Sequence, residues 1–214
     1  MGKEVLFIPG RYRQQNEYAE LVTGLKETGN NVHPLTFNWH GNPNFHTLAN
    51  QVQPQIEGHR FDTVIGHSNG AVLALLTTKA LGERSPTKLI LCSTSPVFKD
   101  DFEDPAVREL TMRENNGHIP DGYNTMQIEE LTGSITSREE PKEWIIFAGE
   151  KELRVFPPYR PIMHRRTHTI ANRLGTNAII VSGAPHYMFE SSYPANMACI
   201  LTRESKRSNV IYPI

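Results

Sequence analysis

The chain of 214 residues carries 22 Lys+Arg against 23 Asp+Glu, and 38% of it is hydrophobic. A length of this order supports one domain with a sizeable core and a modest insertion. So balanced a charge creates no field that would gather nucleic acid or an anionic membrane surface. Two cysteines, Cys92 and Cys199, are too few for a disulfide framework and stand in no paired metal-ligand spacing. No secretory signal pattern follows Met1, and no run approaches the roughly 18 apolar residues of a membrane span. The expectation is a soluble, cytoplasmic protein.

Taken in chain order, Val5 to Ile8 is the first short run of β-branched and aromatic residues with the length and boundaries of a buried strand. Helical periodicity follows over Asn16 to Thr28, then a second strand over Val32 to Phe37 and a second helix over Thr47 to Gly58. The third strand, Phe61 to Ile65, leads to a helix over Asn69 to Leu81 that is apolar on nearly every side, as a helix buried against a sheet would be. The remaining strands are Lys88 to Cys92, Trp144 to Ala148 and Ala178 to Val181, the last two separated by a helix over Tyr159 to Leu174. Alternation of strand and helix predicts an α/β fold, a mostly parallel sheet of about six strands with helices on both faces, because parallel strands need long right-handed crossovers.

The alternation breaks once, between Ser93 and Glu140, where the chain turns polar around Gly117, Pro120 and Gly122. Two short helices are predicted there, Pro105 to Asn115 and Thr125 to Leu131. The stretch is too short for an independent core, so residues 1–214 read as a single domain with a lid-like insertion at about 94–140. A surface excursion with no role at the site is the alternative.

At the end of the third strand stands Gly66-His67-Ser68-Asn69-Gly70, followed directly by the buried helix. A nucleophile raised on a sharp turn needs a strained backbone, and small flanking residues let strand and helix pass closely. Gly66 and Gly70 supply that room. Ser68 is then exposed above the carboxyl edge of the sheet, and the amide of Asn69, in the first helical turn, points toward any negative charge beside it. Helix capping is the plainer role for such a serine.

Read in this context, the chain resembles the α/β-hydrolase superfamily over nearly its whole length. The resemblance implies a nucleophile, an acid and a histidine in that chain order. Gly149-Glu150-Lys151-Glu152-Leu153-Arg154-Val155 resembles the family's acid turn, with Glu152 three residues after the glycine. Glu150, or Asp100 or Asp101 after the fourth strand, are the other candidates. Ser182-Gly183-Ala184-Pro185-His186-Tyr187 resembles the histidine loop, with Pro185 where a glycine is frequent. Ile8-Pro9-Gly10-Arg11 occupies the place of the first oxyanion segment, with Pro9 in place of its usual histidine. The resemblance therefore implies Ser68 as nucleophile, His186 as base, Glu152 as acid, and the amides of Asn69 and Arg11 as oxyanion donors, each donor worth roughly 3 to 4 kcal/mol of barrier. It also implies a reduced sheet that lacks the family's first two strands, and no cofactor.

The expected activity is hydrolysis of a carboxylic ester or thioester of a small molecule through an acyl-enzyme. The alternatives are another reaction on the same fold, such as acyl transfer, C-C bond hydrolysis or a lyase reaction, and a non-catalytic binding domain. Candidate substrate-binding residues are His67, Tyr12, Trp39, Met112 and Tyr187, with Ile119 and Tyr123 as further pocket-lining residues of the insertion. For His67, packing against the sheet is the competing role. His164 and His168 have the one-turn spacing of a metal pair, but Arg165, Arg166 and Arg173 make a solvated basic face the better reading and no metal is expected. Asp100-Asp101 and Glu129-Glu130 read as solvated faces of the insertion.

Overall fold

In the computed structural model, residues 2–11, 18–38, 44–95, 98–119, 123, 127–136, 141, 143–151 and 160–186 are described. Six strands form one sheet: β1 (Glu4–Ile8), β2 (Asn31–Pro34), β3 (Thr63–His67), β4 (Lys88–Cys92), β5 (Glu143–Lys151) and β6 (Ala178–Pro185). Their spatial order is β2-β1-β3-β4-β5-β6, and every pairing is parallel. The chain therefore moves outward from β1 to β2, returns across β1 to β3, and continues away on the other side. That reversal leaves a crevice between the carboxyl ends of β1 and β3, where sheets of this kind place their sites.

Period-two alternation assigns the two faces. Val5, Phe7, Ile65, Ile90, Cys92, Ile145 and Phe147 pack on one side with Tyr18, Leu21 and Leu25 of and before α1 (Ala19–Glu27). Leu6, Ile8, Val64, Leu89, Leu91 and Ile146 face the other side. There they meet α2 (Phe45–Ile56), α3 (Asn69–Leu81), α5 (Ile128–Thr136) and α6 (Arg160–Arg173). α3 is buried nearly all round, from Asn69 to Leu75 and again at Thr77, Thr78 and Leu81. Its bounds coincide with those read from the sequence.

Elsewhere the ends move for physical reasons. β2 stops at Pro34 rather than Phe37, with one further ladder bond, from the Leu35 N–H to the Phe7 carbonyl oxygen at 2.9 Å. α2 begins at Phe45 because Asn44 caps it, its side-chain oxygen accepting the Thr47 N–H at 2.8 Å. β3 runs on through Gly66 and His67, which pair with Ile8, Leu91 and Cys92. β6 continues to Pro185 past a register shift against β5, so the segment read as a histidine loop is largely strand. α5 lies a few residues later than its expected span, and the tail of the acidic cluster at Asp100 is a short 3₁₀ helix, Lys99–Glu103.

Within the insertion, α4 (Pro105–Glu114) is capped by Asp104, which accepts the Ala106 N–H at 2.9 Å. Phe102, Val107 and Leu110 form a small cluster with Ile119 and Tyr123, while Phe98, Leu131 and Ile135 join the main core. Of the acidic pair, Asp100 is exposed as expected, but Asp101 is not on a solvated face. Asp101 is buried, accepts the Phe98 N–H at 2.9 Å and pairs with Arg166 of α6. Arg166 is likewise buried, lying over the Phe98 ring, and burial pulls its pKa down to about 10. This part of the expected basic face of α6 is therefore an internal fastening between the insertion and α6. Glu129 and Glu130 are exposed, as expected. No described helix is long and apolar enough to cross a membrane.

Candidate active site

β3 ends in the sharp turn that the glycine spacing requires. Ser68 has φ 56° and ψ −124°, a left-handed backbone for a residue with a side chain, and α3 starts at the next residue. Two glycines permit the turn. A Cβ on Gly66 would lie 2.4 Å from the Gly70 carbonyl oxygen and 2.6 Å from Ala71 Cα, and one on Gly70 would lie 2.3 Å from the Ile8 carbonyl oxygen. Strand β1, the elbow and the first turn of α3 are thus in backbone contact. Gly10 completes the approach, since a Cβ there would stand 3.2 Å from Ser68 Cβ.

The hydroxyl of Ser68 has two neighbours. His186 Nε2 lies 3.2 Å from Oγ, from a residue 118 positions away that directly follows β6. Ser95 Oγ lies 3.0 Å from the same atom. Asn69 begins α3, so its amide belongs to the first-turn N–H groups that have no partner within the helix.

Behind the serine runs a buried hydrogen-bond chain. Gly10 N–H donates to Tyr18 Oη at 3.0 Å, Tyr18 Oη lies 2.9 Å from His67 Nδ1, and His67 Nε2 lies 2.9 Å from the His186 carbonyl oxygen. That carbonyl only accepts, so Nε2 carries the proton; Nδ1 of a neutral ring then accepts the Tyr18 O–H. Through this ring, which is 1% exposed, the segment after β1, the elbow and the segment after β6 become one hydrogen-bonded unit. His67 is accordingly a buried bridge, which fits the competing role in packing.

The insertion reaches the same place. Tyr123 Oη accepts Asn69 Nδ2–H at 2.8 Å and Arg11 Nη1–H at 3.3 Å, and Arg11 also donates to Asn115 Oδ1 at 3.3 Å. Tyr123 stacks on Phe45, with ring centroids 5.5 Å apart. Met112 is exposed on α4. Glu152, Tyr12, Trp39 and Tyr187 lie outside the described residues, as does the side chain of Glu150. Asp101 is committed to Arg166 and Phe98. His164 donates to the Gly149 carbonyl oxygen at 3.0 Å, and no group of metal-ligating side chains forms among the described residues. Ser95 and Tyr18 belong to no motif. The one available signal for Ser95 was that it follows the strand beside β3 at its carboxyl edge; nothing in the sequence marks Tyr18.

No family model and no curated protein matches the chain. Solved structures do. An α/β-hydrolase enzyme from a metagenome of lagoon sediments at Mar Chica, Morocco, aligns with TM-score 0.62 at 15% identity, covering 94% of this chain and 89% of that one. The fold is that of the α/β-hydrolases. An extracellular α/β-hydrolase from a Paenibacillus species aligns with TM-score 0.59 at 14% identity, over 92% of this chain and 97% of that one. The Vlm2 thioesterase domain aligns with TM-score 0.59 at 16% identity, over 94% and 95%. In this fold Ser68 directly follows β3 and His186 directly follows β6.

Proposed function

We propose that the protein is a serine hydrolase that cleaves a carboxylic ester or thioester of a small molecule through an acyl-enzyme on Ser68. The observation that carries this reading is the 3.2 Å approach of His186 Nε2 to Ser68 Oγ on a strained strand-to-helix turn. A serine hydroxyl is a weak nucleophile at neutral pH, so a base must take its proton during attack. As Oγ bonds to the acyl carbon, His186 takes that proton and then delivers it to the departing alcohol or thiol. Water repeats the sequence on the acyl-enzyme and releases the acid.

Glu152 is the proposed acid that fixes the imidazole tautomer. It directly follows Lys151, and Lys151 pairs with Pro185, the residue before His186. The amides of Asn69 and Arg11 are the proposed oxyanion donors. Gly10 lies against Ser68, which supports placing the next amide there. Residues 94–140 are proposed to cover the site and shape substrate choice; the contact of Tyr123 with both Asn69 and Arg11 supports this. The structural neighbours include an esterase domain and a polyneuridine aldehyde esterase, in keeping with ester chemistry.

The test is a hydrolysis screen over esters, thioesters and lactones of graded acyl length, with Ser68→Ala and Glu152→Gln beside the wild type. Ser68→Ala should lose at least about 10⁴-fold in kcat. Glu152→Gln should lose roughly 10²- to 10⁴-fold, and Glu150→Gln little. Retention of turnover by Ser68→Ala excludes the acyl-enzyme, and the reverse pattern at the two glutamates moves the acid to Glu150.

A further inference from the structure

From the 3.0 Å contact between Ser95 Oγ and Ser68 Oγ, we infer that Ser95 is a catalytic residue whose hydroxyl donates to the nucleophile and thereby commits the Ser68 proton to His186. The inference rests on the reading of Ser68 as nucleophile and goes beyond the serine, histidine and acid of that reading.

Ser68 Oγ has one proton and two neighbours that compete for it. If that proton points to Ser95, the imidazole receives nothing and cannot act as base. If Ser95 donates instead, the Ser68 proton is left for Nε2 at 3.2 Å, the arrangement that attack requires. Ser95 is buried, and Ser68 is the hydrogen-bond neighbour of its hydroxyl among the described residues. A hydroxyl so largely buried keeps to its partner, because leaving it costs the hydrogen bond.

The backbone is shaped to bring Ser95 there. Ser93, just past β4, has φ 49° and donates its N–H to the Phe147 carbonyl oxygen at 2.8 Å. The chain then turns back over the elbow, and the Ser95 N–H reaches the Ser68 carbonyl oxygen at 3.4 Å. Two non-glycine residues with left-handed backbones, Ser68 and Ser93, therefore stand at the ends of adjacent strands. Such strain concentrates where a site must be held in one geometry. Chemically, the Ser95 proton stays at Oγ throughout. When the second tetrahedral intermediate collapses, the bond between Oγ and the acyl carbon breaks, the electron pair returns to Oγ, and His186 supplies its proton. Ser95 is then a second donor to an oxygen gaining charge, the situation in which hydrogen bonds count most.

The experiment measures the second-order rate of covalent labelling by a fluorophosphonate, and kcat on a short ester, for wild type, Ser68→Ala, Ser95→Ala, Ser95→Thr and Ser95→Cys, with a thermal melt of each. Ser95→Ala is expected to label about tenfold more slowly or worse and to lose kcat in proportion, with an unchanged melt. Ser95→Cys, close in size but a poor donor, should follow alanine even if alanine disturbs the fold. Ser95→Thr, which keeps the hydroxyl, should return most of the rate. Labelling of Ser95→Ala at or above the wild-type rate overturns the proposal, as does a threonine variant as slow as alanine. If wild type is not labelled, or Ser68→Ala still is, the nucleophile assignment has failed and the role of Ser95 falls with it.

Discussion

Adding one methyl group at Gly70 should damage both the fold and the site, while the same addition at Gly133 should stabilise the protein. A Cβ at Gly70 would sit 2.3 Å from the Ile8 carbonyl oxygen, 2.4 Å from that of Pro9 and 2.8 Å from the Pro9 carbonyl carbon. All three atoms are backbone, so no side chain can swing away. Helix α3 must retreat from β1 by roughly 1 Å to restore ordinary contact. Overpacking of this kind costs about 1 to 3 kcal/mol, and the rigid neighbours place Gly70→Ala at the upper end. At roughly 2 to 4 °C per kcal/mol for a chain of this size, Tm should fall by about 6 to 12 °C.

The same retreat carries Asn69 and Ser68 away from the segment that holds Gly10 and Arg11. A displacement of about 1 Å is enough to lower turnover on the order of 100-fold. At Gly133, on the exposed side of α5, a Cβ would meet nothing within 4 Å. There alanine should add about 0.8 to 1 kcal/mol of helix propensity and raise Tm by about 2 to 4 °C. The assay is a pair of thermal melts with ester turnover measured well below either midpoint. Equal melting points for wild type and Gly70→Ala, with equal turnover, would refute the close-approach argument.

Tyr18→Phe removes the oxygen shared by Gly10 N–H and His67 Nδ1; it should cost about 2 kcal/mol in urea unfolding, and an unchanged midpoint would mean that the chain of bonds to the His186 carbonyl carries no stability. Asp101→Asn strands the buried Arg166 charge and should cost about 3 kcal/mol or more, whereas Asp101→Asn combined with Arg166→Met should recover most of it; a double variant weaker than the single would contradict the pairing. The Asp104 carboxyl is held below its ordinary value of 3.8 by the Arg165 hydrogen bond and then by the Ala106 amide. Its folded-state pKa being depressed, the stability it contributes is present above that value and lost as pH falls through the lower one. Asp104→Ala should therefore cost about 1 kcal/mol at neutral pH, mostly as a lost helix cap because the Arg165 pair is exposed, and the gap from wild type should close in urea titrations at acid pH.

The strand and helix alternation was legible because buried parallel strands are short continuous runs of branched side chains, and all six occur where that pattern places them. Their ends were less so. Gly66, His67 and Ser182 to Pro185 do not look like strand, yet β3 and β6 run through them because neighbouring strands supply the ladder. Ser68 and His186 stand out through local spacing, and the fold brings them to hydrogen-bond distance. Ser95 and Tyr18 act through partners 27 and 49 positions away, a proximity that no local pattern encodes. The Asp101 and Arg166 pair misleads for a similar reason. Each looks solvated alone, and only the packing of the 3₁₀ helix on α6 makes their mutual burial tolerable.

The order of strands in the sheet also bears on when the chain can first work. Ser68 follows β3, deep in the sheet, but His186 follows β6, which among the described residues pairs with β5 only. A chain emerging from the ribosome can build β1 to β4, with Ser68 and α3 in place, before the segment that carries His186 is made. On the proposed reading of Ser68 as nucleophile, docking of the last strand converts an inert serine into a reactive one. That reading predicts that the reappearance of ester turnover during refolding trails the recovery of the central sheet.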